Sequence, residues 1–341
     1  MKDIDRWRAY YALLMGLCPR AVEHYPPAPP YYTAYNGTLF AWDQYFEGLL
    51  QMYMGYPADY MKAAIDIFLS KQNDEGHIGR SIRYARTVYH KHTDHMQPFM
   101  CQSALLIYNH TGSISWLRHN DRYEKIRKYL DYWLVHEDRR GRGLSVWKFC
   151  GASGMDNQYE RAGEYGVDEY FCEAVDLNAY LVRECKAFSV IASLLERDAD
   201  ARHYRDAAEK RAAAMQKWLW NDEAGLFWDY HAREDRPIPV RYVGTFAALW
   251  AEIATEQQAK RMVDEHLMNP DEFWRNYPLP ALAATEPGYV TGYLPGKKTS
   301  CCSWRAHTWA PTNYYSFQGL RRYGFDREAE QLADRSFALL S

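Results

Sequence analysis

The chain has 341 residues, and its 41 Lys and Arg against 44 Asp and Glu give a formal net charge of -3. Apolar residues make up 48% and charged residues 25%, which excludes a disordered chain and leaves no basic footprint for nucleic acid. The length suits one large domain or two small ones, with enough residues for a real core. Residues 3–17 read as a helix with Ile4, Trp7, Tyr11 and Leu14 on one face, ended by Cys18-Pro19 and the Pro-rich stretch 26–30. Residues 42–54 are apolar nearly all round, the mark of a helix covered on both sides. Residues 58–71 carry Met61, Ala64, Ile65 and Phe68 at helical spacing, and 98–109 are again almost wholly apolar. Residues 114–136 are amphipathic, with Trp116, Tyr123, Ile126, Leu130 and Trp133 along one stripe. Three pairs follow: 175–195 with 199–220, 244–254 with 256–267, and 308–323 with 326–340. Only 83–89 and 225–230 read as short β ribbons.

Helices apolar all round thus alternate with amphipathic ones. Antiparallel hairpins with an inner and an outer ring produce that alternation, so the expected fold is all-α, an (α/α)6 toroid in a single domain, 1–341. An α-solenoid is the alternative, but no fixed period of 20–50 residues repeats.

Three features bear on compartment. Lys2, Asp3, Asp5, Arg6 and Arg8 interrupt the N-terminus, and the apolar stretch 10–17 is too short for a signal peptide. No apolar run is long enough to span a membrane. The seven cysteines are odd in number and irregularly spaced, which reads as reduced thiols in a cytoplasmic protein. The vicinal Cys301-Cys302 pair reads as packed thiols, with a redox pair as the alternative.

Function should lie on the long connections at 31–42, 73–97, 141–174, 222–243 and 270–307. Aromatic residues reach 16%, with 29 tyrosines, and rings with a polar edge suit a surface that stacks on sugars and bonds their hydroxyls. Asp156, in the segment Gly151-Ala-Ser-Gly-Met-Asp156-Asn157, is the most distinctive acid, although an Asp in such a setting also serves as a turn or cap. Tyr35 leads into Trp42-Asp43 at the start of an inner helix. Gln97 and Trp304-Arg305 stand just before two others. Three polar residues at the same place relative to three inner helices is a pattern that packing alone does not predict. Arg305 could hold a carboxylate or a hydroxyl pair, or pair with Asp156. His90, His92, Asp94 and His95 look like metal ligands, but their spacing fits no standard zinc helix, and a polar loop is the simpler reading. No cofactor and no metal is expected.

The chain resembles the glycoside hydrolase family 63 group of α-glucosidases, with the family 37 trehalases as relatives. The resemblance rests on stretches in one order: YNGTLFAWDQYF at 35–46, Gln97-Pro98, SGMDN at 153–157, VDLNAYL at 175–181, GLFWDY at 225–230, GTFAALW at 244–250 and the run 304–324. It implies an (α/α)6 toroid that hydrolyses an α-glucosidic bond with inversion. Asp156 would be the general acid, its pKa raised by burial among aromatic rings. Tyr35, Trp42, Asp43, Gln97, Asn157, Trp304 and Arg305 would bind the sugar. The chain departs from the family pattern at Ala152, at Gln158-Tyr159 and at Ala306, which bears on the outer subsites and so on the substrate.

The family's general base is a Glu in a loop after the helix that 326–340 resembles, and this chain ends at Ser341. The expectation is therefore a toroid short of its last helix and its base. Glu160, Glu164, Glu169, Glu173 and Glu286 are not at the base position, although Glu164 or Glu169 lie on the acid's own loop. The expected partner is a small carbohydrate, with no nucleic acid and no membrane; a homo-oligomer would cover the apolar face a missing helix leaves. Two alternatives stand beside hydrolysis: a non-catalytic or incomplete carbohydrate-binding relative, and an α/α-toroid sugar epimerase or isomerase working through paired histidines.

Overall fold

The computed structural model describes residues 22–23, 31–32, 38–83, 94–163, 171–291 and 303–339. The expected helix 3–17, most of the ribbon 83–89, and Tyr35, His90, His92, Glu164, Glu169, Cys301 and Cys302 lie outside the described residues. Backbone contacts group the chain into two compact units, residues 1–133 with 184–205 and residues 134–183 with 206–341.

In the first unit, Thr38–Phe40 pairs antiparallel with Ser81–Arg83, setting buried Leu39 opposite buried Ile82. The chain passes directly into the helix Ala41–Tyr53, which buries Ala41, Trp42, Gln44, Tyr45, Gly48, Leu49, Gln51 and Met52. That is most of its circumference, as the apolar run predicts. Gly48 lets Met61 of the next helix, Asp59–Leu69, lie flat against the backbone, since a Cβ there would collide with the Met61 methyl. Met100–Thr111 is opened by Glu184, whose two carboxylate oxygens accept the Cys101 and Gln102 N–H groups at 2.8 Å each. Gly112, at φ 69°, closes it in the left-handed region. The expected helix 114–136 is two pieces. A 3-10 turn, Ser115–Arg118, is separated from Arg122–Val135 by Asn120 and Asp121, both at positive φ. The buried stripe Tyr123, Ile126, Leu130 and Trp133 is as predicted.

In the second unit the connection 141–174 carries two single turns of helix, Cys150–Ser153 and Tyr159–Ala162. Cys172–Glu173, Asp229–His231 and Arg236–Ile238 form a three-stranded antiparallel sheet, and Trp220–Asn221 pairs with Leu226–Phe227. The ribbon expected at 225–230 thus belongs to two different pairings. The expected helix 244–254 is a 3-10 turn, Val243–Phe246, followed by Ala247–Trp250; Glu252 at φ 58° stops it. The expected 256–267 is Glu256–Arg261, opened by a Thr255–Gln258 capping box, and then a π turn at Met262–Leu267. Ala310–Arg322 and Asp326–Leu339 close the unit, separated by Gly324 at φ 76°. Two long helices, Val175–Leu194 and Asp198–Trp218, contribute residues to both units. Among the described residues no helix is long and apolar enough to cross a membrane.

Candidate active site

Asp156 sits on a turn whose backbone is tied down on both sides. The Cys150–Ser153 helix ends at Gly154, at φ 85°. Ser153 Oγ donates to the Cys150 carbonyl at 2.6 Å and accepts the Met155 N–H at 3.1 Å. The Cys150 thiol donates to the Asp156 carbonyl at 2.9 Å. The Asp156 side chain itself is half-buried, between buried Met155 and buried Asn157.

The residues that follow reach a segment 147 positions later. Asn157 Oδ1 accepts the Trp304 N–H at 2.8 Å. The Gln158 amide donates to the Trp304 carbonyl at 2.9 Å and to the Ala281 carbonyl at 3.1 Å. The Trp304 indole, buried, stacks on Trp309 at 4.1 Å with the planes 5° apart. Arg305 is fully buried and forks onto Glu160: Nη1 donates to Oε1 at 2.9 Å, Nη2 to Oε2 at 3.1 Å. Nη1 also donates to the Gly288 carbonyl at 2.8 Å. The carboxylate held by Arg305 is therefore Glu160, four residues beyond the candidate acid, and the alternative of an Arg305–Asp156 pair is set aside. Bidentate geometry suits a planar guanidinium, and it uses the donors that a sugar was expected to take.

Beneath this turn lies a charged cluster closed to solvent. Arg161 Nη1 meets Asp229 at 3.0 Å and Nη2 meets Asp176 at 3.2 Å, while Nε donates to Gln158 Oε1 at 3.1 Å. The Tyr242 hydroxyl and the Val175 N–H donate to Asp229 at 2.8 and 2.7 Å. The Trp147 indole N–H and the Leu177 N–H donate to Asp176 at 2.9 and 2.6 Å. The Arg161 guanidinium also lies over the Tyr242 ring at 4.1 Å. Burial pushes the Asp176 carboxyl above the usual carboxylate range, against the pull of Arg161. Burial alone would lower the Arg161 pKa, but the charges of Asp176 and Asp229 raise it well above the ordinary value.

The remaining candidates belong to the first unit. Trp42 is buried, its ring 5.5 Å from Phe46 and 5.8 Å from Phe99. Asp43, half-buried, stands in the first turn of Ala41–Tyr53. Gln97 is buried, and its carbonyl accepts the Tyr129 hydroxyl at 3.1 Å.

Two of the glutamates expected not to stand at the base position engage arginines. Glu286 accepts the Arg241 N–H at 3.1 Å. Glu173 is fully buried with Arg142 Nη1 3.5 Å away. Of the metal-like cluster, Asp94 pairs with Arg80 at 2.7 Å, and His95 bonds the Ile78 backbone and the Tyr129 carbonyl, each at 3.1 Å. Among the described residues no group of three or more His, Cys, Asp or Glu could hold a metal. His266, on Glu272 and the Ala224 carbonyl, is likewise structural.

Sequence reasoning missed Glu160 as the partner of Arg305, Gln158 as the tie to Trp304, and Arg161 as the center of the buried cluster. Two signals were there to read: the aspartates of VDLN and GLFWDY need a buried cation, and Arg161 lies close after the candidate acid. Gly288 carried no signal, yet it matters. A Cβ there would strike Arg305 Nη1 and stand 2.8 Å from Glu160 Oε1.

Comparison with known proteins follows the same lines. The cytosolic neutral trehalase of Kluyveromyces lactis is 31% identical over 134 residues, covering 39% of this chain and 17% of that protein. A probable trehalase of Eremothecium gossypii is 26% identical over 233 residues, 66% of this chain and 30% of that protein. The chain thus spans under a third of the length of these relatives. Among solved structures, the family 63 mannosylglycerate hydrolase of Thermus thermophilus, in complex with glucose, matches with a TM-score of 0.75 at 18% identity. That match covers 91% of this chain and 87% of the other. The neutral trehalase of Saccharomyces cerevisiae matches with a TM-score of 0.69 at 20% identity, covering 93% and 69%. The fold of these neighbours is the (α/α)6 toroid expected from the helix pattern, and the resemblance to family 63 and the trehalases is borne out. With residues 39–341 matching its model, the chain belongs to the mannosylglycerate hydrolase MGH1-like glycoside hydrolase domain family.

Proposed function

We infer that this chain is an inverting glycoside hydrolase acting on the α-glucosidic bond of a small saccharide or glucoside, with Asp156 as the general acid. The observation that carries the reading is the pair of bonds from Asn157 and Gln158 to the backbone of Trp304. They join a half-buried carboxyl to a stacked pair of tryptophans, which combines a proton donor with an aromatic surface for a sugar. The relatives named for trehalose and mannosylglycerate add a small glycoside as the substrate class.

In this reaction Asp156 gives its proton to the leaving oxygen as the C1–O bond breaks. Water attacks C1 from the opposite face and passes its proton to a second carboxylate. For inversion the two carboxyl groups stand about 6.5–9.5 Å apart, leaving room for that water. The reading includes a cytoplasmic setting, in keeping with the buried free thiols of Cys101, Cys150, Cys172 and Cys185 and with the cytosolic trehalases among the relatives.

The test is proton NMR of the purified chain with α,α-trehalose, maltose, glucosylglycerate and mannosylglycerate. Inversion should release the β-sugar first from glucosylglycerate and mannosylglycerate, and one β- with one α-glucose from α,α-trehalose, whose leaving glucose keeps its anomeric centre; release of α-sugar alone would reject inversion. Asp156→Asn should lower kcat about 10²–10⁴-fold without moving the unfolding midpoint. Unchanged turnover would remove Asp156 from the mechanism.

A further inference from the structure

Gln158 is wholly buried, and every polar atom of its side chain is engaged. The amide nitrogen gives one hydrogen to the Trp304 carbonyl and the other to the Ala281 carbonyl, while the amide oxygen accepts from Arg161 Nε. The neighbouring Asn157 accepts the Trp304 N–H. Both backbone groups of Trp304 are therefore held by the two residues that follow Asp156. Two bonds at opposite ends of one residue fix its rotation as well as its distance. Arg161 in turn is pinned by two buried carboxylates, so the clamp has a rigid base.

We propose that Gln158 is a positioning residue for the proton donor, locking Trp304 to the Asp156 turn and anchoring both on Arg161. The proposal rests on the reaction inferred above. A general acid works only with its proton in hydrogen-bond reach of the leaving oxygen, and a displacement near 1 Å costs on the order of 10²-fold in rate. If Trp304 carries the sugar, its distance from Asp156 is that reach. The chemistry of the position also selects the residue. Two donors and one acceptor on a planar group of this length describe an amide, and a carboxylate could keep only the bond from Arg161.

The test compares Gln158→Met, which keeps the volume and removes all three bonds, with Gln158→Glu, which keeps the acceptor and removes both donors. Two substrates separate positioning of the acid from general damage. α,α-Trehalose needs a proton on its leaving oxygen; α-glucosyl fluoride expels fluoride without one. Both variants should lose about 10–100-fold in kcat on trehalose and less than about threefold on the fluoride. Hydrogen exchange of the backbone amides at 303–305 and 155–157 should quicken, with the Val175–Leu194 helix unchanged.

Equal losses on the two substrates, or no loss, would overturn the positioning role. Wild-type exchange in both variants would overturn the clamp itself. If Gln158→Met does not fold, the Gln158→Glu comparison decides both points. If the wild-type chain turns over maltose, glucosylglycerate or mannosylglycerate instead, that glycoside and the matching glycosyl fluoride replace the pair; a chain that turns over none of them refutes the proposed reaction, and with it the catalytic consequence, and exchange then judges the clamp by itself.

Discussion

Arg161→Met tests the charged cluster under the Asp156 turn. The substitution keeps most of the side-chain volume and removes the charge. Arg161, Asp176 and Asp229 are each at most 1% exposed, with the guanidinium 3.2 and 3.0 Å from the two carboxylates. Removing one partner of a buried pair costs about 3–5 kcal/mol, because the other charge stays buried without compensation. Here two charges are orphaned, but each keeps donors: Tyr242, the Val175 N–H and the Cys172 thiol on Asp229, Trp147 and the Leu177 N–H on Asp176. Those donors place the expected loss near the lower end, at about 3 kcal/mol, a large part of a total of about 5–15. Urea unfolding followed by tryptophan fluorescence measures it. The loss should shrink as pH falls, since burial already pushes the Asp176 carboxyl upward and a proton there removes the orphaned charge. Adding Asp176→Asn should recover about 1–3 kcal/mol relative to the sum of the single changes. A loss below about 1 kcal/mol, or strict additivity in the double variant, would refute the view that one guanidinium balances both aspartates.

Gly288→Ala should cost about 1–3 kcal/mol and lower turnover, because the new methyl must displace an Arg305 guanidinium already fixed by Glu160 and by the Gly288 carbonyl; an unchanged melting temperature and kcat would show that the fork yields freely. Glu173 offers a pH test. Burial pushes its carboxyl from the usual 4.5 up to about 7, opposed by Arg142 and Arg140 and reinforced by Asp138 and Asp235. The native state keeps a proton that the unfolded chain releases at 4.5, so this contribution to stability is full below 4.5 and falls as pH rises to about 7. Glu173→Gln should therefore gain on the wild type as pH rises through that window in thermal melts, and parallel curves would contradict the shift.

Much of the helical scaffold was legible because burial on one or both sides leaves a periodic record in the sequence. Ala41–Tyr53, Asp59–Leu69, Val175–Leu194 and Ala310–Arg322 fall within about two residues of their expected bounds. The breaks were harder. Asn120-Asp121 divides 114–136, and the pair is a recognisable turn signal that the apolar stripe on either side outweighed. Glu252 ends its helix at positive φ with no residue preference to announce it. The π turn at Met262–Leu267 keeps the spacing of an ordinary helix in its sequence.

The site divides in the same way. Asp156, Asn157 and Trp304 were legible as motifs, because a short run of unusual residues needs only local reading. Which cation meets which carboxylate is settled by approach across the fold, and there the sequence is silent. Arg305 illustrates the consequence. Had it paired with Asp156, the positive charge would have lowered that carboxyl's pKa and favoured the ionised form, the wrong state for a proton donor. Glu160 instead takes both arms of the guanidinium, and Gly288 leaves room for it to do so. The turn that carries Asp156 thus also supplies, four residues on, the carboxylate that both arms of Arg305 engage.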